Sequence, residues 1–302
     1  MKPRLSVVIP TLGRAGKLAR VLDRLAAQAA PPFEVVVAPD AAESDRAGLE
    51  AVLAGRPLAL TVATPARPGA SAARNAGWRA AAADVVLFLD DDVLPEPGLL
   101  AAHAAAHRAD PGEAAGVLGH VRWARGLRVT PFMRWLERGI QFDFGTIAGT
   151  DAGWGRFYTA NASVKRALLE RAGGFDEVNL PFGYEDLDLA LRMRAHGFRL
   201  RYERAASAEH LHPMDLALWR RRMPRIAAAE RRFCALHPEI APYFHDRLAD
   251  ALRWPPLRGR AARLAGLVPP GTPRAGPYVW TRADVYWRQQ LAGPFMAAWR
   301  AS

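Results

Sequence analysis

Short apolar runs alternate with helix-like segments over residues 1–120, and this alternation constrains the fold more than any other feature. Runs at 5–9, 33–38, 58–63 and 85–89 predict four strands, and 71–83 predicts an alanine-rich helix. Because the runs are almost continuously apolar, we expect a mostly parallel central sheet with helices on both faces. The sequence therefore predicts an α/β protein.

Polar residues stand directly after these predicted strands. Thr11, Asp40, Arg67 and Asp90 each follow one of the four runs within a few positions. Parallel sheets bind their ligands at the carboxyl ends of the strands. We therefore expect these four side chains to converge on one crevice.

The fourth run ends in three consecutive aspartates, Asp90, Asp91 and Asp92. Like charges at the edge of a sheet repel one another unless a cation lies among them. Oxygen ligands suit Mg²⁺ or Mn²⁺, ions that commonly bridge phosphates. The run thus suggests a metal-dependent enzyme for a nucleotide diphosphate compound. A plain acidic turn, with an aspartate capping the next helix, is the alternative.

The formal net charge of +11 is concentrated in the last third of the chain. Residues 191–302 contain 20 arginines against eight acidic residues. This asymmetry predicts an anionic partner such as a membrane surface, and not nucleic acid, since no nucleic-acid-reading motif accompanies it. On this hypothesis the membrane-interface anchors are four tryptophans, Trp254, Trp280, Trp287 and Trp299. A solvated basic face with ordinary helix packing is the alternative.

Cysteine content and hydropathy suggest a compartment. Cys234 is the single cysteine, so an intrachain disulfide is impossible, and no apolar stretch is long enough to span a membrane. We expect a cytoplasmic protein, peripheral at the inner face of the membrane if the basic region binds lipid.

Four segments occur in one order: SVVIPTLGR, RPGASAARNAGWRAAAADVVLFLDDD, ANASVKRALLERAGGFDE and GYEDLDLALRMRAHGFRL. The set resembles the family 2 glycosyltransferases, which have the GT-A fold, over about residues 4–212. The resemblance implies a GT-A domain at 1–212, with a nucleotide-binding half at about 1–120 and an acceptor half at about 121–212. A basic helical extension would follow at 213–302.

The resemblance also implies an activity. Such an enzyme is inverting and metal-dependent, and it moves a sugar from a nucleotide-diphosphate sugar to a hydroxyl acceptor in polysaccharide or glycolipid synthesis. UDP is the expected nucleotide, but the family's paired acids after the second strand are replaced here by Pro39 and Asp40, which leaves GDP and dTDP open. A non-catalytic subunit that binds sugar nucleotides or glycans is the alternative; nucleotidyl transfer is disfavoured.

Individual roles follow from the same resemblance. Asp92 and His210 would hold Mn²⁺ or Mg²⁺. Asp186 would be the catalytic base and Glu185 would position the acceptor, although acids at a helix N-terminus also simply complement its dipole. The residues expected to bind the nucleotide sugar are Pro10, Thr11, Arg14, Asp40, Arg67, Arg74, Asp90 and Asp91.

The acceptor side is predicted from aromatic and polar residues beyond residue 143. Trp154, Asn161 and Tyr184 are the candidates, because aromatic faces stack on sugars. The glycine-rich segment 143–156 predicts a mobile loop that acts as a lid.

Overall fold

The computed structural model describes residues 4–265, 267–268 and 275–301. They form two compact units. The first unit runs up to Arg125 and resumes from Thr146 to His212, and the second consists of Gly126–Gly145 and the chain from Pro213 onward. Residues 126–145 thus cluster with the C-terminal helices, although they lie within the range that the resemblance assigns to the acceptor half.

The first unit contains one eight-stranded sheet. Its strands are β1 Leu5–Thr11, β2 Phe33–Pro39, β3 Leu60–Val62, β4 Val85–Leu89, β5 Val93–Pro95, β6 Ala115–Trp123, β7 Asn161–Lys165 and β8 Arg199–His210. They lie in the order β3-β2-β1-β4-β7-β6-β8-β5. Only β5 and β7 run against the other six strands, so the sheet is mostly parallel, as predicted.

Helices connect these strands. Those of the first unit are α1 Ala15–Ala26, α2 Arg46–Leu53, α3 Ala70–Ala80, α4 Leu99–Ala109, α6 Arg166–Ala172 and α7 Glu185–Arg194, with a short 3₁₀ helix at Trp154–Arg156. The second unit holds α5 Pro131–Leu136, α8 Leu216–Leu236, α9 Tyr243–Leu252, α10 Arg260–Ala265 and α11 Ala275–Ala301.

Two predicted strand boundaries differ from the observed ones. Pro10 does not end β1, which continues to Thr11. The pairing of β1 with β4 stops at Val8, so proline's missing N–H faces no partner on that side. The run at 58–63 yields only the three residues of β3, because this strand lies at the sheet edge, where Val62 is 50% exposed.

Helix α3 lies close against β1 because of Gly77. A Cβ built at Gly77 would lie 2.3 Å from Cγ1 of the fully buried Val8. We expect Gly77→Ala to lower the free energy of unfolding by about 1 kcal/mol or more, since overpacking outweighs the gain in helix propensity. Gly16→Ala in α1, where no atom lies within 4 Å, is the control and should be neutral or stabilising. Equal urea-unfolding free energies for the two variants would contradict this packing.

Aromatic rings form the interior of the second unit. Phe132, Trp135 and Trp287 contact one another, and Trp299 stacks on Phe295. Trp280 is 5% exposed and its Nε1 donates to the carbonyl of Val268. These contacts correct the anchor hypothesis for Trp280, Trp287 and Trp299, which pack within the unit.

The surface of α8 keeps the predicted basic character. Arg220, Arg221, Arg225 and Arg232 are exposed, and Trp254 is 47% exposed. An anionic partner for this surface stays a prediction. In the described part of the chain, no helix combines the length and the apolar character needed to cross a membrane.

Candidate functional site

The ends of β1 and β4 meet at the acidic turn. Thr11 Oγ1 donates to Asp91 Oδ2 at 2.7 Å, and Arg14 Nη1 donates to Asp92 Oδ2 at 2.7 Å. Lys17 Nζ, one turn further along α1, lies 3.5 Å from the same Asp92 oxygen. The predicted convergence of these strand ends is therefore present, and basic side chains face the aspartates.

Asp91 and Asp92 are both buried but have different protonation tendencies. Burial raises the pKa of Asp91 to about 7, although Arg14 and Thr11 oppose it. For Asp92, burial also acts upward, yet protonated His210, Arg14 and Lys17 outweigh it and hold the pKa below its usual value. Asp92 is therefore ionised at neutral pH.

Several residues predicted to bind the nucleotide have structural partners instead. Asp91 is 1% exposed and ties the turn to Thr11, which is itself buried, so neither presents a free side chain to a ligand. Both carboxylate oxygens of Asp40 accept backbone N–H groups, from Ala42 and Gly69, each at 2.8 Å. Thr11, Asp40 and Asp91 thus have contacts within the protein, and their direct contact with a nucleotide stays a prediction.

Two further candidates for the nucleotide site, Arg67 and Pro10, take no part in those hydrogen bonds. The side chain of Arg67 is 53% exposed, and its nearest acidic partner is Glu177 at 3.9 Å. It does not join the acidic turn. Pro10 is half-buried within β1, opposite Ala38 of β2.

Arg74 joins the acidic turn to the start of α7. Its Nη2 donates to Asp90 Oδ1 at 3.2 Å and its Nη1 donates to Glu185 Oε1 at 3.0 Å. The same Nη1 lies 4.0 Å from Asp186 Oδ1. Burial lowers the pKa of Arg74, but Asp186, Asp90 and Glu185 outweigh it and raise the pKa, so the guanidinium stays charged.

Asn75 fixes the part of α3 that carries Arg74. Its Nδ2 donates to the carbonyl of Phe175 at 2.9 Å, and its Oδ1 accepts from the N–H of Phe175 at 2.9 Å. Trp78 Nε1 donates to the same Oδ1 at 2.7 Å. Because these bonds hold the side-chain amide of Asn75 in place, the backbone that carries Arg74 is rigid.

Asp186 lies at the N-terminus of α7 with its side chain 24% exposed. Its carboxylate accepts from the N–H of Thr159 at 3.1 Å and from Thr159 Oγ1 at 2.8 and 2.9 Å. Burial raises the pKa of Asp186 to about 7, with Arg74 acting against it. Asp188 instead forms an ion pair at 2.6 Å with Arg192, four residues later in the same helix.

His210 stands across the turn from Asp92. Pairing of β5 with β8 sets Val93 opposite His210 and places His210 Nε2 3.7 Å from Asp92 Oδ1. Burial lowers the pKa of His210 although Asp92 opposes it, which favours the neutral imidazole that binds metals.

A carboxylate oxygen and an imidazole nitrogen at this separation suit a manganese or magnesium ion that takes its other ligands from water and phosphate. The described ranges contain no group of three or more His, Cys, Asp or Glu side chains placed to hold an ion. An ion at this place would therefore take two protein ligands, Asp92 and His210, and the rest from water and phosphate.

The acceptor candidates are placed differently from one another. Tyr184 caps α7 with φ of 64°, a left-handed conformation that is rare for a tyrosine, directly before Glu185. Trp154 is half-buried, and the Arg194 guanidinium lies 5.4 Å from its ring. Asn161 is fully buried and its amide bonds His103 and the carbonyl of Ala206, so it is a core residue and not part of an acceptor cleft.

Four site residues were missed in the sequence. Lys17 stands three residues after Arg14 on α1, a spacing that could have shown it. Glu43 accepts the N–H of Gly13 at 2.6 Å and so shapes the loop after β1. No local pattern indicates that Asn75 bonds Phe175 or that Thr159 bonds Asp186, because these partners lie 100 and 27 residues away in the chain.

Comparison with known proteins identifies relatives of this chain. The model of the family described as glycosyltransferase like family 2 matches residues 3–229. The validoxylamine A glucosyltransferase of Streptomyces hygroscopicus subsp. jinggangensis (strain 5008) is 32% identical over 287 residues, covering 80% of this chain. The chain spans 62% of the length of that curated relative.

Solved structures share the fold. The mannosyltransferase PcManGT from Pyrobaculum calidifontis, in complex with GDP-Man and Mn²⁺, has a TM-score of 0.56 at 21% identity, covering 100% of this chain and 76% of that one. TarS 1-349 of S. aureus in complex with UDP-GlcNAc has a TM-score of 0.58 at 17% identity, covering 99% and 91%. The fold is GT-A-like, as predicted.

Proposed function

The chain belongs to glycosyltransferase like family 2, and we propose that it is a metal-dependent, inverting glycosyltransferase. It would move a sugar from a nucleotide-diphosphate sugar to a hydroxyl acceptor. The observation that carries this proposal is the position of Arg74, which bonds Asp90 of the acidic turn and Glu185 while lying 4.0 Å from Asp186. Donor-side acids and a candidate base therefore share one buried cation.

The donor would lie at the carboxyl ends of β1 and β4. Asp92 and His210 would hold Mn²⁺ or Mg²⁺, which when bound neutralises the diphosphate and stabilises the charge of the leaving group. Arg14, whose side chain is 45% exposed, and Lys17 offer positive charge beside the same carboxylate. GDP-Man in one structural neighbour and UDP-GlcNAc in another support a nucleotide-sugar donor, with UDP, GDP or dTDP as nucleotide.

Asp186 would act as the base. Its carboxylate would take the proton of the acceptor hydroxyl while that oxygen forms a bond to the anomeric carbon and the bond to the nucleotide diphosphate breaks. A pKa raised to about 7 suits a group that must accept a proton near neutral pH. The bond of Arg74 to Glu185 would fix the neighbouring acid, which we assign to acceptor positioning.

The alternative, a non-catalytic subunit that binds sugar nucleotides or glycans, is less well supported. Such a subunit would require a donor pocket only. The carboxylate of Asp186 is held by two donors from Thr159, keeps an exposed fraction of 24%, and has a raised pKa. A transferase uses all three properties.

Purified protein given Mn²⁺ and a panel of UDP-, GDP- and dTDP-sugars tests the proposal. Glucose donors and validoxylamine A belong in the panel because of the named relative, alongside polysaccharide and glycolipid acceptors. We expect at least one donor to bind and to be hydrolysed or transferred in a metal-dependent way. If no donor in the panel is bound and none is hydrolysed, the proposed function is contradicted.

A further inference from the structure

Thr159 presents two hydrogen-bond donors to Asp186. It is 1% exposed, and its N–H and Oγ1 reach the carboxylate at 3.1 Å and at 2.8 and 2.9 Å. Within the described residues, Thr159 supplies every hydrogen bond to this carboxylate. Arg74, at 4.0 Å, attracts it but is too far away to orient it.

The backbone that carries Thr159 is anchored in the core. Asn161, two residues later, is fully buried and bonds His103 Nε2 at 3.0 Å and the carbonyl of Ala206 at 2.9 Å. Ser163 Oγ then joins His103 to His107 at 2.8 and 2.9 Å. This network makes the start of β7 rigid, because a buried, hydrogen-bonded strand end leaves Thr159 little freedom to move.

We propose that Thr159 is a positioning residue, which fixes the carboxylate of Asp186 for proton transfer from the acceptor. The inference rests on the proposed glycosyl transfer. The charged groups around Asp186 are Glu185 on α7 and Arg74 from α3, with Asp90 of the acidic turn on the far side of that guanidinium. On the 3₁₀ helix, Arg156 donates to the carbonyl of Ala152, and Arg194 of α7 lies over Trp154. Thr159 is thus an uncharged hydrogen-bond donor to Asp186 among these charged side chains.

Removal of the hydroxyl has two expected consequences. The carboxylate gains rotational freedom, which slows a step that depends on alignment. A donor to the ionised form is also lost, so the pKa of Asp186 rises and a higher pH is needed to deprotonate it. Binding of the nucleotide, at the other side of Arg74, is expected to stay the same.

Thr159→Val removes the hydroxyl, keeps the backbone N–H and preserves the shape of the side chain. We expect kcat for sugar transfer to fall about tenfold and the acidic limb of the kcat–pH profile to move up by about one unit. The donor Kd and the Tm should match the wild type. Thr159→Ser, which retains the hydroxyl, should restore both kcat and the profile.

The outcomes separate this inference from the proposed function. Wild-type turnover together with a Thr159→Val variant of unchanged kcat and pH profile would overturn the positioning role alone. So would a loss that Thr159→Ser does not rescue, or one matched by a weaker donor Kd. Wild-type protein that transfers no sugar from any donor would overturn the proposed function, and the inference with it.

Discussion

Asp186→Asn is expected to reduce kcat for sugar transfer by a factor of about 10² to 10⁴ while leaving the donor Kd unchanged. The amide has the shape of the carboxylate and still accepts the hydrogen bonds of Thr159 through its oxygen, but it cannot take a proton. Wild-type kcat should also decline as the pH falls through about 7, because the raised pKa of Asp186 leaves the base protonated below that point.

The matched control is Asp110→Asn, the same substitution at an exposed acid that bonds Arg199 at 3.1 Å. This variant should keep the wild-type kcat. Initial rates at saturating donor and acceptor, with the donor Kd from calorimetry, measure the difference. An Asp186→Asn variant that keeps more than a tenth of the wild-type kcat would contradict the role of Asp186 as base.

Asp92→Ala is expected to weaken metal-dependent donor binding by about a hundredfold or more. Asp92 is the turn carboxylate with the lowered pKa, and its Oδ1 faces His210 while its Oδ2 bonds Arg14. The substitution removes the anionic ligand of the proposed ion and leaves only His210 of the two proposed protein ligands. Calorimetric titration of the nucleotide diphosphate with and without Mn²⁺ measures the loss.

Much of the fold could be predicted because burial repeats a simple pattern along the chain. Val7, Val8 and Ile9 of β1 and the residues of β4 are fully or almost fully buried, so a continuous apolar run was a faithful sign of an interior strand. The edge strand β3 lacks that cover, and its run predicted twice the observed length. The parallel arrangement also brings the ends of β1 and β4 together, where Thr11 bonds Asp91.

The finer assignments depended on partners that no local pattern reveals. Arg74 and Glu185 are 111 residues apart in the chain yet bond each other in a buried site. Asn161 lies in one of the segments that carry the family resemblance, but its side-chain amide forms hydrogen bonds to His103 and to the carbonyl of Ala206 in the core. Asp40 likewise reads as a ligand-binding acid, while both of its oxygens hold backbone N–H groups. Sequence shows which residues are polar, whereas the fold determines which of them are already satisfied.

Calorimetric titration of one nucleotide-diphosphate sugar into three proteins addresses the central claim most directly. Wild type and Asp186→Asn should bind the donor with equal Kd in Mn²⁺ and lose that binding in EDTA, and Asp92→Ala should bind weakly in both buffers. Equal donor binding by Asp92→Ala and the wild type, unaffected by EDTA, would contradict a donor site built on Asp92 and a divalent ion.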